Sequence, residues 1–384
     1  MFFGVSTHLG GAERSLLDFL KLYNRDPKRS DFFVLLPKSD GPFIELLEQN
    51  RIAYKILPMP PWVLKLTRQK FLGGLSPEAM SLAPLSYLRD LIRVIREQNV
   101  DTVHCTGIKC HVAAAMISPF IKARVIVHFR DIIKPKPLAQ FFGLFKLKKN
   151  IEWLAASRAI AEAMTLVKPR VIYDGFDDRA FAPERTTFLK DHFRIPETAP
   201  LIGLVGVLTP WKGQKEFLLA AQATAAKHPA AHFVIVGDPI YDTATDENFL
   251  EELKALRKAA GLIDRFHFLG FQKNTAPIYN SLDWLVHAST RPEPFGRVVV
   301  EAQLCKTPVI ASGAGGILEI IRDGETGLLH KPGDVASLAA TLDKALNLST
   351  LEKARLAQKA YEFCKTAYPL EARYEELKDI LENR

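Results

Sequence analysis

The chain has 384 residues, enough for two or three domains that each bury a core. It is 48% hydrophobic and 24% charged, which excludes disordered and fibrous classes, and no apolar run approaches the ~18 residues of a membrane-spanning helix. A formal net charge of +8 points to an anionic partner, and nucleic acid, a membrane surface and a nucleotide sugar all qualify.

The first residues, MFFGVSTHLGG, lack the basic region of a signal peptide and read as a first strand. Cys105, Cys110, Cys305 and Cys364 form neither a metal-ligand spacing nor a disulfide framework, which fits a reducing cytoplasm. FFGVS, the helix after Gly11, FFVLLP, FIELLEQN and YKILP alternate short strands with helices, the pattern of a doubly wound parallel sheet. Gly10 and Gly11 fall between the first strand and the first helix, where bare backbone can approach a ligand; a plain tight turn explains the pair equally well. Between Leu57 and Leu85 the pattern breaks into a proline-rich stretch with interleaved basic and apolar residues, and a long irregular segment of this kind is functional or mobile.

LSYLRDLIRVIREQNV then reads as an amphipathic helix, and DTVHCTG and ARVIVHFRD as strands. His128 stands at the carboxyl edge of the latter strand, with Arg130 and Asp131 placed to fix its ring, although a lone histidine at a strand end is as readily structural. Residues 134–149 carry Lys134, Lys136, Lys146, Lys148 and Lys149 with Phe141, Phe142 and Phe145 and no acid. That composition suits a helix on an anionic membrane surface, or a surface helix whose aromatics pack into the core. IEWLAAS and RVIYDGFD close the first half, and the polar stretch from Asp178 to Pro200, with a short helix, marks the domain boundary.

The second half opens with LIGLVGVLTPWKGQKEFLLAA, a strand, a loop and a helix, with Lys212 and Gly213 at a helix start that suits a phosphate, although in isolation Lys212 reads as a surface lysine. AHFVIVGDP, RFHFLGFQKN and LDWLVHAS supply further strands. They lead to RPEPFGRVVVEA, Arg291 to Ala302, in which Pro292 and Pro294 cannot sit inside a helix. The helix therefore begins near Gly296, leaving Glu293 in the loop above it and Glu301 about one turn in. Unpaired N–H groups around Phe295, Gly296 and Arg297, at the positive pole of the helix, favour a phosphate or carboxylate. Were the whole span helical, the two glutamates would stand ~12 Å apart, beyond the ~5–9.5 Å of a hydrolytic pair, which disfavours a glycosidase. TPVIASGAGG follows as a strand ending in Gly313, Gly315 and Gly316. Asp334 caps a later helix, and two more helices finish the chain.

Taken in this order, the stretch from Arg291 to Ala302 resembles the Glu-x7-Glu signature of the retaining glycosyltransferases of family four, among the group 1 glycosyltransferases, and the likeness extends over most of the chain. The resemblance implies an α/β protein of the GT-B fold, two Rossmann-like doubly wound domains facing each other across a cleft. Residues 1–178 would form the acceptor-side domain, 179–365 the nucleotide-sugar domain, and 366–384 a helix crossing back to the first. The GGAE-type loop at Gly10 and Gly11 would shape the acceptor and diphosphate region, and VHFRD would place His128 against the donor sugar. Lys212, Gly213 and the N–H groups of Phe295, Gly296 and Arg297 would hold the diphosphate, Glu293 the sugar hydroxyls, and Glu301 the ribose. The implied reaction moves a sugar from a UDP- or GDP-linked donor to a glycan or lipid-linked acceptor, with retention, in cell-surface polysaccharide or lipopolysaccharide synthesis. It needs neither cofactor nor metal, since lysine and helix dipole do what magnesium does elsewhere, and it involves no nucleic acid; the setting is the cytoplasm or the inner face of the cell membrane. Two departures stand out: Val207 replaces an arginine usual after the first glycine of the second half, and the turn before the boundary reads Asp174-Gly175-Phe176-Asp177 without its asparagine. A catalytically weak nucleotide- or glycan-binding member, or a sugar-nucleotide epimerase of the same fold, would also accommodate them.

Overall fold

A computed structural model gives the fold and describes residues 1–4, 6–60, 63–64, 83–133, 136–239 and 248–382. Most of the irregular stretch between Leu57 and Leu85, and Lys134 of the basic segment, lie outside the described residues. The chain divides into two compact units, Met1–Gly175 with Leu370–Arg384, and Phe176–Pro369.

Among the described residues, the first unit is built on a seven-stranded sheet in the order β3-β2-β1-β4-β5-β6-β7. Its strands are β1 (Phe2–Phe3), β2 (Val34–Leu36), β3 (Tyr54–Ile56), β4 (Thr102–Thr106), β5 (Arg124–Phe129), β6 (Ile151–Ala155) and β7 (Arg170–Val171), and every pairing is parallel. Alternate strand residues face opposite sides of a sheet. Accordingly Val125, Val127 and Phe129 join one core with Trp153, while Phe2, Ile126 and Leu154 join another on the opposite face. The C-terminal helix Leu370–Glu382 covers that second face with Tyr374, Leu377, Ile380 and Leu381. Its polar side is tied down as well: Tyr374 donates to Asp26 at 2.8 Å, Lys378 pairs with Asp26, and Tyr23 donates to Glu382 at 2.8 Å.

The second unit has the order β10-β9-β8-β11-β12-β13, again all parallel. These strands are β8 (Leu201–Val205), β9 (His232–Val236), β10 (Phe266–Gly270), β11 (Trp284–His287), β12 (Val309–Ser312) and β13 (Leu328–His330). Both orders are the doubly wound Rossmann arrangement, as the alternating pattern predicts. The stretch from Asp178 to Pro200 behaves as part of this unit. Asn280 staples it, donating to the Ala182 carbonyl at 3.1 Å and accepting from Glu184 N at 2.9 Å, and Arg185 pairs with Asp283 at 2.7 Å. Polar, proline-containing sequence reads as a linker, but here its backbone groups find partners on one helix end, Ala276–Ser281.

The basic segment also takes a definite side. The helix Lys136–Gly143 turns Leu138 and Phe142 into the core, with Phe142 packed edge-on against Phe129 at 5.2 Å and Trp153 at 5.8 Å. Its aromatics therefore serve the sheet, not a free face. Among the described residues, no helix is long and apolar enough to cross a membrane.

Candidate active site

Each sheet reverses its strand order once, between β1 and β4 and between β8 and β11. Open parallel sheets bind ligands outside the carboxyl ends of the strands at such a point. In the second unit two loops meet there. One leaves β8 and ends in the turn Pro210–Lys212 and Gly213; the other leaves β11 and runs to Gly296. Gly213 has φ +77°, and a Cβ on it would lie 1.9 Å from the Ala288 carbonyl oxygen, so glycine is what allows the loops to touch. Thr290 N donates to the Trp211 carbonyl at 2.8 Å and locks the contact.

This approach brings Lys212 to Glu293. The ammonium donates to both carboxylate oxygens, at 2.9 and 2.8 Å, and sits 4.2 Å from the Trp211 ring centroid. Ser289 Oγ donates to the same carboxylate at 2.9 Å, and His287 Nε2 lies 3.1 Å from it. Burial pushes the Glu293 carboxyl upward, but the Lys212 charge and the hydrogen bonds from His287 and Lys212 overcome it and hold the group well below the usual carboxylate range. The backbone is seated equally firmly: Gly316 N donates to the Glu293 carbonyl at 2.8 Å, and a Cβ on Gly315, whose φ is +67°, would lie 2.3 Å from that oxygen.

The helix Arg297–Leu304 begins after Gly296, whose φ is +110°, at the position expected from the two prolines. Glu293 and Glu301 are both buried, neither solvated. Glu301 accepts from Tyr279 Oη at 2.8 Å and pairs with Arg297, Nε to Oε1, at 3.4 Å. Arg297 itself turns inward: its guanidinium lies 4.5 Å from the centroid of Phe176, which stacks on Phe295. An aromatic face and a carboxylate hold the Arg297 side chain inside, and its N–H, the group expected to serve a diphosphate, stands at the helix start. Val207 offers its carbonyl to Gln214 Nε2 at 2.8 Å and adds no charge.

In the first unit, Gly10 precedes the helix Gly11–Arg25 at the carboxyl end of β1, and its N–H donates to Glu13 at 3.1 Å. Burial raises the Glu13 carboxyl to about 7, against the lowering effect of those backbone bonds and of Arg130. Arg130 donates to Asp174 at 2.7 Å, and Ser15 Oγ donates to the same oxygen at 2.5 Å. His128 stands near the carboxyl end of β5. It is 1% exposed, its Nδ1 lies 3.1 Å from His104 Nε2, and burial keeps both rings neutral, the nearby Arg130 charge adding to the effect. His104, rather than Arg130 or Asp131, is thus the partner of its ring. A cavity of about 30 Å³ lies beside His104, His128 and Asp174. That is room for a water and not for a sugar.

Sequence reasoning missed His287, Ser289, Tyr279, His104 and Asp174. For His287 and Ser289 a signal exists, because residues two apart at the end of a strand share a face. Tyr279 and Asp174 arrive from distant segments and leave no local trace. Among the described residues, no group of three or more His, Cys, Asp or Glu is arranged to hold a metal ion.

Residues 186–363 match the family described as glycosyl transferases group 1. The 2-deoxystreptamine glucosyltransferase of Streptomyces kanamyceticus is 35% identical over 253 residues, 64% of this chain and 60% of that protein, so the match spans less than two thirds of that relative. The N-acetyl-alpha-D-glucosaminyl L-malate synthase of Bacillus anthracis is 28% identical over 277 residues, 69% of each. Among solved structures, Alr3699/HepE of Anabaena in complex with UDP-glucose is 26% identical and superposes with a TM-score of 0.82 over 100% of this chain and 99% of its own. With two parallel Rossmann-like units and structural neighbours of this kind, the chain has the GT-B fold, and its residues 186–363 are similar to the group 1 glycosyl transferases.

Proposed function

We propose that this protein is a retaining glycosyltransferase that moves a sugar from a nucleotide diphosphate donor to a hydroxyl of a glycan or lipid-linked acceptor. The observation that carries the reading is the pairing of Lys212 with Glu293 at the strand-order reversal of the second unit. A cation and a carboxylate held side by side there match the two needs of the reaction, charge on a leaving diphosphate and orientation of sugar hydroxyls. The bond between the anomeric carbon and the diphosphate oxygen breaks, and its electron pair leaves with the diphosphate. The acceptor oxygen bonds to that carbon on the same face, and its proton passes to the departing phosphate. Lys212, Gly213 and the N–H groups of Phe295, Gly296 and Arg297 receive the diphosphate, without a metal; Glu293 receives sugar hydroxyls and Glu301 the ribose. Gly10 and Gly11 border the acceptor. His128, which lines one cavity with Arg130 and Asp174, is assigned to the donor sugar. The Anabaena relative bound to UDP-glucose supports a uridine diphosphate donor, and four free cysteines agree with a reducing cytoplasm. A role in cell-surface polysaccharide or lipopolysaccharide synthesis is the corresponding setting.

Release of nucleotide diphosphate from a panel of UDP- and GDP-sugars, by the wild type beside Glu293→Gln and Lys212→Met, tests this. Slow release from one donor, lost in both variants, is the expected result. Binding without release, in the presence of glycan acceptors, favours the second reading, a nucleotide-binding member without turnover, to which the uncharged Val207 lends support. Absence of any nucleotide binding overturns both.

A further inference from the structure

The two oxygens of the Glu293 carboxylate are held unequally. Among the described residues, Oε1 has one donor, Lys212 at 2.9 Å. Oε2 has three: Lys212 at 2.8 Å, Ser289 Oγ at 2.9 Å and His287 Nε2 at 3.1 Å. The lysine comes to the site on a flexible stem and is 21% exposed, so it can follow a ligand. His287 and Ser289 are buried at and just beyond the end of β11, and they stay with the scaffold.

His287 is itself fixed by three neighbouring strand ends. It closes β11 opposite Ala311 of β12. Ser312 Oγ, at the end of β12, lies 3.5 Å from its Nδ1, and His330 Nε2, at the end of β13, faces its carbonyl at 3.2 Å. These contacts select the tautomer, because the bond at one ring nitrogen sets the role of the other. A lone pair on Nε2 would point at the carboxylate oxygen, so Nε2 carries a proton and donates to Oε2. Ser312 then donates to Nδ1, and Ser289, although 3.1 Å from Nε2, gives its hydroxyl proton to Glu293.

We propose that His287 is a positioning residue for the donor sugar. With Ser289 it pins Oε2 of Glu293, so that when Lys212 turns to a diphosphate, Oε1 is left as one acceptor in a fixed place for a sugar hydroxyl. This role rests on the donor-site reading of Lys212 and Glu293. A carboxylate that lost its lysine without these two donors would swing about its last torsion, and aligning it again would cost rotamer freedom. Held by two buried donors, it meets the sugar already aligned. A fixed acceptor of this kind also selects, since it rewards a group that donates, a hydroxyl, and not one that only accepts.

Titration calorimetry of the full chain with UDP and with UDP-glucose tests the assignment through the ratio of the two affinities, the sugar increment. His287→Met, which fills much of the ring's place without an N–H, should lower the increment about tenfold. His287→Gln, of the same length with a terminal N–H, should restore most of it. On the Glu293→Gln background His287→Met should change nothing further, because no carboxylate is left to hold. Free UDP should still bind every variant, which is the control for folding of the site. His287→Asn, polar but too short to reach Oε2, should repeat the loss and serves if the methionine variant does not fold. A wild-type increment in His287→Met or His287→Asn overturns the positioning role, as does an equal loss in the glutamine variant, which would assign His287 to packing. So does a further loss on the Glu293→Gln background, which would mean that His287 acts by another route. A wild type that binds UDP-glucose no more tightly than UDP overturns the donor-site reading first, and this role with it.

Discussion

The Lys212–Glu293 pair can be weighed without any substrate. Its side chains are 21% and 10% exposed, between the surface pairs that contribute ~0–1 kcal/mol and the fully buried ones whose disruption costs ~3–5 kcal/mol. Lys212→Met leaves the carboxylate with Ser289 and His287 as remaining donors, so a loss of ~2–3 kcal/mol is expected at pH 7. Glu293→Gln leaves an ammonium that still rests on Trp211, and should cost ~1–2 kcal/mol. The double variant removes both charges together and should recover ~1.5–2 kcal/mol relative to the sum. Urea unfolding at matched m-values supplies the four free energies. The pH dependence has a definite sign. The Glu293 carboxyl is depressed in the folded state from its ordinary 4.5, so its contribution is complete above about that pH and fades as pH falls further. The coupling should therefore persist unchanged from pH 7 to 5. Additivity within ~0.5 kcal/mol would refute the reasoning, because contacts at 2.8 and 2.9 Å in so sheltered a site cannot be energetically independent.

Two further predictions concern the first unit. Glu13 is raised to about 7 by burial, so its protonated form favours folding, and that stability, full below about 4.5, is lost as pH rises through 7. Glu13→Gln should leave the melting temperature unchanged at pH 4 and raise stability by ~2 kcal/mol at pH 8.5, allowing for screening of a partly exposed side chain; a pH-independent difference contradicts this. Arg130 and Asp174, with side chains 10% and 5% exposed, should behave as a buried pair. Arg130→Met is expected to cost ~3 kcal/mol, and Arg130→Met/Asp174→Asn to return within ~1 kcal/mol of the wild type by thermal unfolding.

The doubly wound parallel class of both units followed from local pattern, because short apolar runs alternating with amphipathic helices admit few other arrangements. The start of the helix Arg297–Leu304 followed from two prolines, whereas the meeting of its loop with Gly213 is legible only in the structure. What could not be read is side-chain direction at long range. The two prolines place the N–H of Arg297 at the helix start but say nothing of its side chain, which Phe176, more than a hundred residues earlier, draws inward. His128 looked accessible because it lies near a strand end; the opposing His104 on β4 closes it off. The stretch from Asp178 to Pro200 looked like a linker because polarity and proline report exposure, while the hydrogen bonds of Asn280 that immobilise it are invisible in its own composition.

The Lys212–Glu293 contact also bears on how a donor is received. Lys212 cannot give its full charge to a diphosphate while both its short contacts go to Glu293, and Glu293 cannot accept sugar hydroxyls in directions those contacts occupy. Under the proposed roles, the diphosphate therefore competes with Glu293 for one ammonium, and its arrival releases the carboxylate to the sugar. The competition has a consequence opposite in sign to a simple loss of function. Glu293→Gln weakens the rival acceptor, so free UDP should bind this variant more tightly than the wild type, at most ~10–30-fold if the whole ~1.5–2 kcal/mol of coupling is returned, while the wild type alone gains affinity when the sugar is attached. Titration calorimetry with UDP and UDP-glucose on the two proteins measures both differences. Weaker binding of UDP by Glu293→Gln would mean that the carboxylate positions Lys212 for the diphosphate instead of competing for it, and the exchange would have to be abandoned.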